Sequence, residues 1–264
     1  MDAYRIKHRL QAGVGSFHRA ALRRPLPDKV ALILHSLKGI APGVDDFMRR
    51  FAMLGYAFVG PDDFVSRPGR MIMLTFDDNY RSWFECLPMF ERHGAKVTFY
   101  VNTLPFRDRA SDADLSRFFQ RISAAPEPTL STDELRRIAE AGHTIGAHTH
   151  THPNLAAIPM AQAKDEIRTC KSILEEIVRR PVRHFSYPFG MRRHFSPPLK
   201  RYCFEIGFET VATALPAMQH ARPESGIIHR SMLDPALPFS RNLDNLRVDG
   251  RIFERITGYN PVAK

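Results

Sequence analysis

The chain is poor in cysteine: Cys86, Cys170 and Cys203 are scattered through 264 residues and form no Cys-x-x-Cys pair. An odd, dispersed set argues against a disulfide framework and fits a reducing compartment. Long apolar runs are absent too. The longest aliphatic stretch, Val30 to Leu34, is far short of the roughly 20 residues that a membrane-spanning helix needs. Basic residues open the chain, but Gly13, Gly15 and His18 interrupt the apolar stretch expected of a secretory signal. A cytoplasmic setting is therefore expected, with association at the inner face of the membrane as the extension of that view. Acidic residues are outnumbered, 28 against 38 Lys and Arg, for a formal charge of +10. That excess suits an anionic partner, but a merely solvating basic surface is the plainer reading of charge alone. The basic residues are dispersed and match no nucleic-acid-binding module, so nucleic acid is not expected.

What is present is ordinary globular material: 44% hydrophobic and 25% charged residues in a chain long enough to bury a large core. Residues 1–28 read as a basic extension. Ile6, Leu10, Val14, Phe17 and Ala21 share one helical face among Arg5, Lys7, Arg9, Arg19, Arg23 and Arg24. Such a face can lie on an anionic membrane, or pack on the domain with its charges in water; the two glycines weaken the helix. From residue 29 onward, strand-like and helix-like segments alternate. Strands are predicted at 30–35, 56–59, 71–76, 96–101, 143–147, 183–187, 209–212 and 227–230. Helices are predicted at 44–54, 80–93, 131–141, 161–179, 197–206 and 243–256, with an insertion at about 103–130 carrying a helix near 112–123. Ser131 and Glu134 have capping-box spacing. Alternation of this kind implies a parallel sheet with crossover helices, as a barrel or an open sheet.

Candidate chemistry collects just past strand ends, where a parallel barrel places its active site. Thr75-Phe76-Asp77-Asp78 ends one apolar strand with adjacent carboxylates. Such a pair can cap the following helix, or divide into a metal ligand and a free base. His148, His150 and His152 follow another strand. If a tight turn begins there, His148 and His152 share one face and His150 points elsewhere. Two imidazoles and a carboxylate form a common catalytic zinc set that leaves a position open, and a second carboxylate beside them can deprotonate water.

These fragments resemble the polysaccharide deacetylases with NodB homology, carbohydrate esterase family 4, over about residues 29–231. Thr75-Phe76-Asp77-Asp78 is similar to the first family motif, His148-Thr149-x-x-His152-Pro153 to the second, and Ser186-Tyr187-Pro188-Phe189-Gly190 to the third. Leu87–Val101 also resembles the family. The resemblance implies a distorted (β/α)7-type barrel, Asp77 as catalytic base, and Asp78, His148 and His152 as ligands of a divalent metal, Zn2+ before others. It implies hydrolysis of an N-acetyl or other N-acyl group on an amino sugar of a polysaccharide, oligosaccharide or glycan precursor. Separately, the missing secretory signal points to a lipid-linked or nucleotide-linked precursor, and the basic N-terminus suits an anionic one. Tyr187 and Phe189 would line the sugar site, or pack in the core.

The chain also departs from the pattern. Ser186 stands where the third motif usually has arginine, Asn79 stands for a usual glycine, and the usual Asp-x-x-x-Trp and Leu-x-x-His motifs are not evident. Leu34-His35 resembles an early motif of a branch with Tyr-Pro-Phe/Tyr-Gly. His35 is therefore expected to supply or support the catalytic proton, and Arg230 to replace the missing arginine beside Asp77. A buried structural histidine and an ordinary salt bridge are the plainer alternatives. Amidase chemistry on a non-sugar C–N bond, or a non-catalytic glycan-binding protein, are the alternative functions.

Overall fold

A computed structural model describes residues 25–215 and 226–247. Residues 1–24 of the expected basic extension, and the end of the expected closing helix beyond residue 247, lie outside the described residues. The run Met71–Leu74 continues through the two aspartates as one buried strand, β3 (Met71–Asp78). β1 (Lys29–Leu34) and β4 (Thr98–Val101) flank it in parallel register, Lys29 beside Met71 and Thr98 beside Thr75. β5 (Thr144–Ala147), β6 (His184–Ser186), β7 (Thr210–Thr213) and β8 (Ile227–His229) continue the parallel sheet from β4. β9 (Ser231–Met232) returns to β1, and the short β2 (Ala57–Phe58) pairs with β3. The order is β8-β7-β6-β5-β4-β3-β1-β9.

β8 and β9 are two pieces of one segment, broken only at Arg230. One piece pairs with β7 and the other with β1, so this segment closes the sheet into a nearly complete barrel. Counted as one stave, and with β2 lying off the ring, it gives the seven expected. The nine helices described pack outside: α1 (Ala41–Met53), α2 (Pro61–Ser66), α3 (Ser82–Glu85), α4 (Leu87–Arg92), α5 (Asp112–Arg121), α6 (Thr132–Glu140), α7 (Met160–Val178), α8 (Pro197–Glu205) and α9 (Phe239–Leu246). None is long and apolar enough to cross a membrane.

Strand alternation sorts the side chains. Ile72, Leu74 and Phe76 of β3 enter the large core beneath the helices. Met71 and Met73 point the other way, joining Ala31, Tyr100, Ala212 and Ile228 in the barrel interior. Thr75 and Asp77 continue that inner row. The interior is thus apolar at its base and polar at the strand C-termini.

Four local expectations need correction. The single helix expected over 80–93 is two, because Pro88 lacks an amide proton and its ring opposes the carbonyl four residues back. α2 was not anticipated; Pro61 starts it on a six-residue stretch too short for a periodicity signal. β9 was missed because two residues carry no alternation. The closing helix begins at Phe239, after Pro238, rather than at 243. The capping box of α6 is present with both of its bonds.

Gly146 in β5 lies under Tyr100: an added Cβ would sit 2.5 Å from the ring Cδ1. Gly146→Ala is therefore expected to cost roughly 1–3 kcal/mol through overpacking, measured as a lower midpoint of thermal unfolding. An unchanged midpoint would show that the barrel interior is less tightly filled than described.

Candidate active site

A cavity of 370 Å³ opens at the C-terminal ends of the strands, walled by His35, Asp77, Asp78, His148, His152 and Arg230 together with apolar groups. Its floor depends on Arg230. This side chain is fully buried, and each of its five N–H groups has a partner. Nη1 and Nη2 donate to the two oxygens of Asp77 (2.6 and 2.8 Å). Nη1 also donates to Thr75 Oγ1, Nη2 to Ser186 Oγ, and Nε to the carbonyl of Thr213. Its guanidinium lies 5.1 Å from the centroid of the Tyr100 ring. One residue at the β8–β9 break therefore ties β3, β6 and β7 together.

Asp77 is pinned as an anion. Burial works to raise its pKa, but the charge of Arg230, with help from His148 and the Arg230 hydrogen bonds, outweighs burial and lowers it to about 2. Ser186 Oγ adds a bond to Oδ2 (3.2 Å). The serine at the arginine position of the third motif thus joins the pair, while the arginine comes from the end of the barrel.

Alternation would send Asp78 outward, away from Asp77. Its φ of 86° turns the chain and brings it to the cavity. A left-handed backbone costs a non-glycine residue about 1–2 kcal/mol, and Thr149, His152 and Phe189 adopt it here as well. Strained residues gathered at one place mark a site that the surrounding structure holds in shape. The left-handed residue is Asp78, and Asn79, at the usual glycine position, is not left-handed. Asn79 instead braces the turn: its Nδ2 donates to Asn102 O and its Oδ1 accepts from Leu130 N. Asn102 in turn donates to the carbonyls of His148 and Thr149.

The histidine loop is set with equal care. His148 Nδ1 donates to Ser186 O (2.7 Å), which leaves Nε2 with its lone pair facing the carboxylates. That nitrogen stands 3.7 Å from Asp78 Oδ1 and 3.8 Å from Asp77 Oδ2; His152 Nε2 stands 3.4 Å from Asp78 Oδ1. Thr149 Oγ1 accepts the His152 amide and closes the turn. Burial first, then the nearby His148 and His35, push the His152 pKa well down, so its ring is neutral and able to donate a lone pair. Burial raises Asp78. Asp78, His148 and His152 each offer a donor atom, all within 4.8 Å of one another and all buried. Two neutral imidazole nitrogens and one carboxylate oxygen fit a zinc ion with an open coordination position, and the His148–Ser186 bond is the outer support such ligands carry.

The remaining expected residues divide. His35 is exposed on the cavity wall rather than buried, and its carbonyl accepts from Trp83 Nε1. Phe189 is 45% exposed, lines the cavity and sets its ring 5.0 Å from that of His152. Tyr187 is instead buried, stacked on Phe195 and bonded to Gly190 O; it packs beneath the turn and does not line the cavity. His150 turns away to Thr103. Tyr80 was given no role, although it stands two residues after the first motif; it lines the cavity with its hydroxyl 3.5 Å from Asp78 Oδ2. Ile122 and Ala124 of the insertion form another wall that no motif announced.

Residues 65–202 match the family model described as polysaccharide deacetylase. The chain belongs to the polysaccharide deacetylase family. It is 28% identical over 137 residues to a peptidoglycan-N-acetylglucosamine deacetylase of Bacillus cereus, covering 51% of this chain and 40% of that protein. It is 31% identical over 128 residues to a chitooligosaccharide deacetylase of Azorhizobium caulinodans, covering 48% of this chain and 58% of that protein. The chain thus spans about half the length of these relatives. The fold is shared with a Streptococcus pyogenes deacetylase solved with acetate (TM-score 0.65, 17% identity, 84% of this chain and 99% of that one). It is also shared with IcaB from Ammonifex degensii (TM-score 0.64, 17% identity, 85% and 99%). The polysaccharide deacetylase barrel is therefore the architecture on which the cavity is built.

Replacing Arg230 by Met would leave Asp77 buried and unpaired, a change expected to cost roughly 3–5 kcal/mol. The sign with pH follows from linkage. In the native protein the folded-state pKa of Asp77 is depressed to about 2 from 3.8, so its stabilisation is present above pH 4 and fades as pH falls towards 2. In the variant, burial alone raises the Asp77 pKa, so acid relieves the defect. The stability gap between the two proteins should narrow as pH drops from 7 to 3 in denaturant titrations; a gap that widens would contradict the pairing.

Proposed function

We propose that the chain is a metal-dependent N-deacetylase acting on an N-acylated amino sugar. One observation carries this reading: a carboxylate held ionised by Arg230 faces the same cavity as the Asp78–His148–His152 donor set. Asp78, His148 and His152 would hold the ion, zinc before other divalent metals. When bound, such an ion polarises an amide carbonyl and makes water more acidic.

Asp77 is the base. Its Oδ2 lies on the His148 side of the cavity, and Arg230 fixes the plane of the carboxylate from behind. Asp77 takes one proton from water as the oxygen of that water joins the acyl carbon. His35, on the cavity wall, gives a proton to the sugar nitrogen as the C–N bond breaks. Acetic acid and the free amino sugar result; the acid ionises to acetate by releasing its proton to solvent, and the proton on Asp77 returns to solvent or to His35. Tyr80 steadies Asp78, and Phe189 offers a ring face to the sugar.

Asp77→Asn keeps the shape of the side chain and removes its basicity. Acetate release from N-acetylated oligosaccharides should fall ~10²–10⁴-fold, with zinc content retained. His35→Ala should lower turnover by a similar order while leaving zinc content unchanged. Full turnover by folded His35→Ala would remove that residue from proton transfer, and full turnover by Asp77→Asn would overturn the mechanism.

A further inference from the structure

The loop that carries His35 runs from the end of β1 to the start of α1, and His35, Lys38 and Gly39 in it are exposed. Among the described residues the His35 imidazole has no hydrogen-bond partner. Its place on the cavity wall therefore follows from the backbone that carries it. Three ties hold that backbone. Trp83 Nε1 donates to the His35 carbonyl (2.8 Å). Leu37 N donates to Ser82 Oγ (3.0 Å). Ser36 Oγ accepts from Lys38 N (3.0 Å) and donates to Glu127 Oε2 (2.7 Å). The first two ties come from α3, just past the Asp78 turn. The third comes from the insertion, 91 residues along the chain.

Glu127 is built to hold its end of that tie. Proline stands on each side of it, at 126 and 128. Pro128 restricts the backbone of Glu127, and Pro126 fixes its own φ just before. The chain is then bolted to the turn after β3: Pro128 O accepts from Arg81 N (2.8 Å), and Leu130 N donates to Asn79 Oδ1 (2.9 Å). Arg107 N donates to Leu130 O (3.0 Å), so the insertion leaves and returns at one place. Its outward limb is tied to the histidine loop, where Arg121 Nη1 donates to the Thr151 carbonyl (2.6 Å). Between these ties Ile122 and Ala124 line the cavity. Glu127 thus sits on a stiff strap fixed beside the metal-ligand turn, and it reaches the His35 loop through a short hydrogen bond to a carboxylate, the stronger kind.

We propose that Glu127 is a positioning residue: through Ser36 it holds His35 where the departing amine needs its proton. The proposal rests on the reading of His35 as proton donor in N-deacetylation. A general acid works only within hydrogen-bond reach of the atom it protonates, and a displacement of about 1 Å can cost on the order of 100-fold in rate. With the Glu127 bond removed, Trp83 and Ser82 still keep the course of the loop, but Ser36 is released and the ring beside it loses its setting. Asp77 and the three donor atoms of the metal site touch neither Ser36 nor Glu127, so the loss falls on the protonation of the leaving group.

Two leaving groups on the zinc-loaded full chain provide the test. The amine of a chitooligosaccharide departs only with a proton, whereas p-nitrophenolate departs from p-nitrophenyl acetate as a stable anion. Glu127→Ala should lower the ratio of amide to ester kcat by about 10- to 100-fold, with zinc content retained. Ser36→Ala should do the same. Glu127→Gln, whose amide oxygen still accepts from Ser36, should restore most of the ratio. The His35→Ala/Glu127→Ala double variant should be no slower on the amide than His35→Ala, since the two residues act through one ring. An unchanged ratio in Glu127→Ala, or losses that multiply in the double variant, overturns the proposal. Full amide turnover by His35→Ala counts against the proton-donor reading instead, and acetate release from neither substrate counts against the deacetylase reading. In either case amide hydrogen exchange decides the positioning: faster exchange at Leu37 and Lys38 in Glu127→Ala supports it, and unchanged exchange overturns it.

Discussion

A buried guanidinium–carboxylate pair holds this site together. Arg230 stands where the last stave of the barrel changes partner, with β8 on β7 and β9 on β1. From that position its side chain enters the barrel interior and binds Asp77, Thr75, Ser186 and the Thr213 carbonyl. Barrel closure and the state of the base are therefore one problem with one solution. A lone buried carboxylate would take up a proton; a lone buried arginine would be costlier still. Together, with every donor used, they keep an anion in the cavity. The apolar base of the barrel, with Tyr100 stacked under the guanidinium, excludes the water that would screen the pair.

The donor set depends on that closure at one remove. Ser186 bonds the pair through its hydroxyl and His148 through its carbonyl, so the strand that steadies the base also aims the ligand nitrogen. Left-handed residues at Asp78, Thr149, His152 and Phe189 mark where the backbone leaves regular strand geometry to point side chains inward. Their cost is offset by buried bonds, such as those from Asn102 to the His148 and Thr149 carbonyls and from the Thr151 amide to Glu166. A loop so tied is preformed for binding.

Much of this was legible in the sequence because its signals are local. The β3 segment reads as apolar residues ending in two aspartates, and the paired histidines stand four apart beside a strand. Arg230 was reachable only by noticing that Ser186 left an arginine role vacant and that a cation lay near the last strand. What escaped notice lacked a local signal. Two-residue β9 has no periodicity, yet it closes the barrel. The turn at Asp78 is a backbone state that the residue type does not announce, and Asn79, its glycine-replacing neighbour, drew attention instead. Tyr187 and Phe189 are both aromatic in one motif, yet alternation and the left-handed turn bury the first and expose the second. The insertion read as a polar segment, and only tertiary ties through Arg121 and Glu127 carry Ile122 and Ala124 to the cavity.

That the pinned base and the three donors act as one metal site is tested most directly by titrating zinc into metal-free protein while following acetate release from a chitooligosaccharide. Turnover should be absent without metal, rise in proportion to added zinc and level off at one ion per chain; Asp78→Ala should neither retain the ion nor turn over. Full turnover in metal-free protein, or undiminished zinc binding and turnover by Asp78→Ala, would contradict it.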